Sequence, residues 1–447
     1  MNYSPEQIIA LAPDAASAKA GRSLATGSKW QNVGQDERAL WGECQGSGAK
    51  PYQTVIDLSE PAFKCSCPSR KFPCKHALGL FLLVANGPET GKTVTTAPAW
   101  AAEWLSKRDQ QAQRKTEAAK KAEEEPDEAT LARRASQRVK RSLDREAKVV
   151  AGLKELELWL RDLLRHGLAA AQTRSFDYWE QMAARLIDAQ APGAARRVRD
   201  LSRVTHAGDD WIEQLLMQVS SLFLLLKAFE RIETLPAATQ SDVRNAIGWS
   251  VKEEELPEEN VVSDEWLVLG QRTSGDEGLR VRRTWLWGQH TGKGALVLEF
   301  AAPGQNLALS FLPGTTTEAE LIFYPGNYPL RAALKNRANT TRPLKELSGY
   351  PTSDELLTTY AGVLALNPWI DAIPAPLQTV VPVHRNERWF ARDSNDRLLS
   401  LKIESSSGWK LIALSGGYPI TIFGEWNGRS LLPISAWADG RHVELQS

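Results

Sequence analysis

Apolar residues recur along this chain with more than one rhythm. Between about residues 130 and 250 they return every three or four positions, the period of an amphipathic helix. Leu153, Leu156, Leu160, Leu163 and Leu164 form one stripe. Phe176, Trp179, Met182 and Leu186 form a second. Ile212, Leu215, Leu216, Val219, Leu222, Phe223, Leu226 and Phe229 form the densest. Gly167 suits the end of the first helix, and Pro192-Gly193 stops the second. Stripes of this kind leave water by packing on one another, so the region reads as a helical bundle.

After the acidic linker 252–259 the rhythm shortens to that of strands. Runs at 266–269, 295–300, 321–324, 409–414 and 420–423 are β-rich and separated by Gly, Pro, Asn and Asp. A helical stretch at Ser353–Leu366 divides this region into two halves, each a small sheet or partial barrel. No internal repeat is apparent. Near the N-terminus, Ala39–Cys44 and residues 52–58 read as strands joined by the hairpin signal 45–51. Leu78, Leu80, Phe81, Leu82 and Val84 read as a helix stopped by Asn86-Gly87-Pro88. Large apolar residues are scarce after Trp104, and 114–125 is a charged run, a solvated helix or linker.

The fold class expected is therefore α+β multidomain: a small hairpin-plus-helix module, a helical bundle middle and a β-rich C-terminal region. The divisions are 1–92 (module core about 39–86), a charged linker 93–130, a helical domain 131–250, and a Trp-containing domain 260–447 in two halves.

Composition narrows the function classes. The 447 residues carry 54 basic and 54 acidic side chains, so no net field draws the chain to nucleic acid or membrane. The start lacks a basic then apolar leader pattern, and no apolar run reaches the ~20 residues of a bilayer span. The expectation is a cytoplasmic protein without a membrane partner. Three of the four cysteines lie within ten positions, which suits a metal site better than a disulfide framework.

That segment is Cys65-Ser66-Cys67-Pro68, six residues after Cys67 to Cys74, then His76. Zinc takes four thiolate or imidazole ligands tetrahedrally, at about 2.3 Å to sulfur and about 2.0–2.1 Å to nitrogen. Two close pairs joined by a loop that Pro68 and Pro73 stiffen supply that set. With four protein ligands the site is closed to water, so one structural Zn²⁺ is expected and no hydrolytic chemistry. Cys44 is left out as a small core residue of a strand. Lys64, Arg70, Lys71 and Lys75 can offset the charge of three thiolates, and are also candidate nucleic-acid contacts.

At these residues the sequence resembles the SWIM zinc finger, whose pattern is C-x-C, a variable gap, then C-x-H. Residues 265–270, 414–419 and 423–426 add a weaker likeness to bacterial SWIM zinc finger family proteins. The resemblance implies DNA or protein binding. It also implies, for some members, an association with an AAA+ ATPase of the MoxR type.

Other constellations are weaker. Gly87-Pro88-Glu89-Thr90-Gly91-Lys92-Thr93 has one residue too few between its glycines for a P-loop and follows a helix. Basic clusters at 133–148 and at Arg196, Arg197, Arg199 and Arg203 read as solvated faces or intrachain pairs. Residues 251–447 hold 19 basic and 23 acidic side chains, a net −4 that disfavours nucleic acid on charge alone. His166, His206, His290, His384 and His442 sit in no catalytic motif. The function expected is non-enzymatic: a nucleic-acid-binding module for DNA or RNA, or alternatively a protein-interaction adaptor working with a partner such as that ATPase.

Overall fold

The computed structural model describes the chain except residues 1–4, 13–14, 46–49, 60–61, 70, 86–95, 111–127, 207, 209, 250, 277–278, 303–306, 308–310 and 446–447. It leaves the side chains of 6, 7, 10, 15, 128–143, 276 and 339 undescribed. The hairpin turn, the P-loop-like run and the charged run 114–125 thus lie wholly or mainly outside the described residues.

The N-terminal module is a four-stranded antiparallel sheet in the order β1 (Trp30–Gln35), β2 (Ala39–Cys44), β3 (Tyr52–Asp57), β4 (Ala62–Cys65). Side chains alternate across a sheet, and here both faces are covered. Leu40, Ile56 and Phe63 point toward α3 (Lys75–Ala85), beside α1 (Pro5–Ala10) and α2 (Ala15–Leu24). Ala39, Trp41 and Val55 point the other way, onto Ala101 and Leu105. Those two belong to α4 (residues 99–110), a helix inside the segment expected to be linker. Trp100 and Trp104 also pack against this second cluster. Two ion pairs fasten α4 to the sheet: Arg38 to Asp109 at 2.6 Å and Arg108 to Asp57 at 3.2 Å. The linker reading underestimated how much apolar surface Trp100, Ala101, Trp104 and Leu105 share on one helix face.

The middle of the chain is α5 (Glu128–Arg165), α6 (Phe176–Asp188), α7 (Pro192–Val204), α8 (Trp211–Glu230) and α9 (Ala237–Ile247), around one core containing Leu156, Trp179, Leu186, Val198, Leu215 and Ile247. Arg196 pairs with Asp371, Arg199 with Glu180 and Arg203 with Asp200, so the third basic cluster is engaged within the chain. Among the described residues α8 is the helix long and apolar enough to cross a bilayer. Its Leu215, Val219, Leu222 and Leu226 are instead bundle core.

The C-terminal region is two barrels. The first runs β5 (Val261–Asp276), β6 (Leu279–Gly288), β7 (Gly294–Ala301), β8 (Thr315–Phe323) and β9 (Arg331–Pro343), closed in the order β5-β6-β7-β9-β8. The second runs β10 (Ile373–Arg385), β11 (Arg388–Arg392), β12 (Leu398–Leu401), β13 (Ile420–Trp426) and β14 (Leu431–Ala438), with β15 (Arg441–Glu444) added at the edge. Its order is β12-β11-β10-β13-β14, and a parallel bridge Leu401↔Leu431 joins β12 to β14. Strand by strand, the pairing is that of the first barrel, whose closing pair β7–β9 is also parallel. In both, three consecutive strands are followed by a fourth that returns beside the first, which is a Greek key. Five-stranded Greek-key barrels are the architecture of the OB-fold.

In both barrels the first strand serves both sides of the barrel. The early part of β5 pairs with β8 and its later part with β6, across a bulge at Val268/Gly270. β10 does the same with β13 and β11, across a bulge at Leu377/Val380. A bulge bends the strand so that it can turn the corner. Gly270 is required there, because a Cβ would lie 2.7 Å from Ile434 of the second barrel. The repeat was invisible in the sequence because it is one of pairing order, with different side chains on each rung.

One expected strand is a helix. Residues 409–414 belong to α11 (Ser405–Ser415), between β12 and β13. Gly408, Leu411 and Ser415 are its buried positions, at spacings of three and four. Gly408 rests on the Trp389 ring, and Gly416, at φ 56°, ends the helix in the left-handed region. The expected helix at Ser353–Leu366 is present as α10, capped by Thr352, whose hydroxyl accepts from the Glu355 amide at 3.3 Å.

Candidate metal centre

β4 ends on Cys65, and the chain turns through Cys67 and on to Cys74, which immediately precedes α3. The Cys74 carbonyl accepts the first helical hydrogen bond from Leu78 at 3.1 Å, so Cys74 is the N-cap and His76 lies in the first turn. A sheet edge and a helix N-terminus are thus held together by the packing of Phe63 on Phe72 and Phe81.

The result is a cluster. The ligand atoms of Cys65, Cys67, Cys74 and His76 all lie within 4.8 Å of one another. Cys74 and His76 are buried, and Cys65 and Cys67 half-buried. Tetrahedral bonds of about 2.3 Å place sulfurs roughly 3.8 Å apart, so the donor set and its spread fit one zinc ion. The four residues are positioned to bind it.

The electrostatics of the bare cluster point the same way. A hydrogen bond from Cys74 is the main influence holding Cys65 down to about 4, with further help from His76 and Thr54. The same bond, with burial, pushes Cys74 far up. Burial raises Cys67 as well. Without a cation the cluster therefore favours a single thiolate; a dication is what makes three compatible.

Two supporting residues escaped sequence reading. Thr54 lies directly opposite Cys65 in the β3–β4 register and donates its hydroxyl to the sulfur at 3.2 Å. Tyr52 sets its ring 4.9 Å from that of His76. Both lie on one face of β3, a pattern visible only once the register is known. Cys44 is fully buried in the module core and outside the cluster, as a strand residue should be.

The basic candidates are not gathered on one surface. Lys64 faces the side of the sheet shared with Val55, toward α4, and its charge is felt by Glu103. Lys71 and Lys75 are exposed in the loop and at the start of α3, on either side of Cys74. Arg70 lies outside the described residues.

A metal-stapled sheet and helix followed by a helical bundle defines a zinc-finger protein with an associated all-α domain. The comparisons agree: the SWIM zinc finger family matches residues 53–85, and the SWIM-associated four-helix bundle domain matches residues 144–247. The chain carries both. No curated protein and no solved structure matches it.

Proposed function

We propose that this chain is a non-enzymatic nucleic-acid-binding protein, in which zinc builds the SWIM module and Lys71 and Lys75 meet phosphates. The supporting observation is the exposure of these two lysines beside the metal loop, at the positive end of α3. Lys64, on the side of the sheet that faces α4, lies outside this patch. The test is fluorescence anisotropy of zinc-loaded protein with single- and double-stranded DNA and RNA over a salt series. Binding should weaken steeply with salt. Lys71→Glu with Lys75→Glu should cut affinity and reduce the slope by about two. Unchanged affinity in that variant overturns the reading.

A second reading, a protein-interaction adaptor serving a partner such as an AAA+ ATPase, rests on α8. Ile212, Leu216, Met217 and Leu224 are 45–70 % exposed along one side of that helix. Rows of exposed apolar residues mark contact sites. Leu216→Glu with Met217→Glu should abolish such a complex and leave the melting temperature within a degree or two. A complex that survives the change excludes this surface.

A further inference from the structure

The two barrels share a topology, yet treat the same face in opposite ways. In five-stranded Greek-key barrels of the OB type, the face of the second and third strands carries ligands. In the first barrel that face is β6–β7, and it is apolar: Trp285, Trp287, Leu296 and Leu298 join the core formed with the second barrel. It is also locked. Glu425 of β13, 6 % exposed, accepts from Trp285 Nε1 at 2.7 Å and from Arg283 Nε at 2.9 Å. Nothing can bind there without parting the barrels.

The equivalent face of the second barrel is β10–β11–β12. Opposed residues on neighbouring antiparallel strands share a side of the sheet. The rungs Val383–Phe390–Ser400 and Val381–Arg392–Leu398, with the pair Arg385–Arg388, therefore lie on one side. The opposite side carries Trp389, Ala391, Leu399 and Leu401, all buried in the barrel core. The first side is thus the outer wall. Its Phe390 is half-buried and belongs to no core cluster, and Arg385, Arg388 and Arg392 are exposed.

We propose that this outer wall is a docking site for a single-stranded polynucleotide, with Phe390 as the base-stacking platform and Arg385, Arg388 and Arg392 on the phosphates. The argument is charge complementarity. Arg385 and Arg388 stand opposite each other, and like charges so placed repel. Among the described residues neither has an ion-pair partner within the chain. A phosphate between them removes the repulsion. Arg392 reaches Asp396 at 3.6 Å, in a pair 47 % and 85 % exposed, which a phosphate can displace. Glu387, in the turn before Arg388, and Asp396 are exposed acids at the rim, against three arginines on the wall. Stacking on a phenylalanine requires unpaired bases, so duplex is excluded from Phe390. Ser400 is the one neutral polar side chain of the three rungs, too little to read a ribose hydroxyl, so DNA and RNA strands bind alike. The mild acidity of the C-terminal region as a whole does not oppose this, because the arginines are concentrated on one wall.

This site lies on a different domain from the zinc module and does not rest on Lys71 and Lys75. The test measures anisotropy of labelled oligothymidine and oligouridine of about 12 nucleotides against full-length zinc-loaded protein. Phe390→Leu keeps apolar volume and loses the ring; it should weaken single-strand binding about tenfold, within the range of one lost stacking contact. Arg388→Glu with Arg392→Glu should weaken it at least as much and flatten the salt slope. Tyr418→Ala, an exposed aromatic that follows α11 and belongs to none of these strands, should change nothing. The proposal fails if the parent protein does not bind these strands at low salt, or if Phe390→Leu and the arginine variant bind as the parent does. Loss confined to Lys71→Glu with Lys75→Glu would uphold the zinc-module reading and overturn this one. Loss confined to the β10–β12 variants would do the reverse.

Discussion

The zinc module and the paired barrels reach order by opposite routes. In the module, four ligands within twelve residues of sequence converge on one point, and helices cover both faces of a small sheet. In the barrels, order comes from strands far apart in sequence; the Arg283–Glu425 contact joins residues 142 positions apart. The first is a local cross-link on a core too small to be secure alone. The second is an extensive apolar core shared by both barrels. One region should therefore respond to metal chemistry and the other to packing and buried charge.

The largest expected effect breaks the module alone. Cys74→Ser removes a buried ligand and keeps a favourable N-cap for α3, so the loss is that of the metal. Structural zinc contributes about 10–16 kcal/mol in comparable finger peptides, and loss of a ligand should forfeit enough of it to unfold the module. Zinc content by mass spectrometry should fall from one to none. Hydrogen exchange over 144–247 and 261–445 should stay as in the parent.

Next comes the barrel junction. Glu425→Ala leaves Trp285 Nε1 without its acceptor and Arg283 and Arg272 without their carboxylate. Breaking a buried pair from one side costs about 3–5 kcal/mol. Calorimetry should show the barrel transition lowered and zinc retention unchanged. Equal destabilisation of the module would contradict the separation drawn here.

The third effect is set by pH. His442 lies beside Trp437, with its ring 4.8 Å away, and against Gly314, where a Cβ would sit 2.5 Å from the imidazole. Burial, with Lys410 nearby, holds it down to about 4 from an ordinary 6.5. A depressed base is neutral in the folded state while the unfolded chain takes up a proton. The His442 contribution is thus level above pH 7 and falls between pH 6.5 and 4, by up to about 3 kcal/mol. Glu444 on the same strand, pushed up to about 7 by burial, contributes with the opposite sign, rising as pH falls from 7 to 4.5. His442→Phe should remove the first contribution and leave barrel stability rising as pH falls from 7 to 4.5, measured by urea unfolding of the barrel transition.

The same contrast explains what the sequence disclosed. All four ligands were legible, because C-x-C and C-x-H spacing is a local statement about coordination. The bundle was legible because helix periodicity is local too. The barrels were not: nothing near Leu401 says that it meets Leu431, and nothing near Phe390 says that it shares a wall with Val383. Residues 409–414 were misread as a strand, since Trp409, Leu411, Ile412 and Leu414 satisfy a β-rich reading until Gly408 is seen seated on Trp389. Thr54 as a sulfur donor and α4 as the second cover of the sheet also required the register.

The most direct measurement is limited proteolysis of the full chain, before and after zinc is stripped by a strong chelator, with cleavage sites mapped by mass spectrometry. The account predicts new cuts across residues 39–85 once the metal is gone, with the bundle and both barrels as resistant as before, and protection restored by adding zinc. Full resistance of 39–85 in metal-free protein would contradict it.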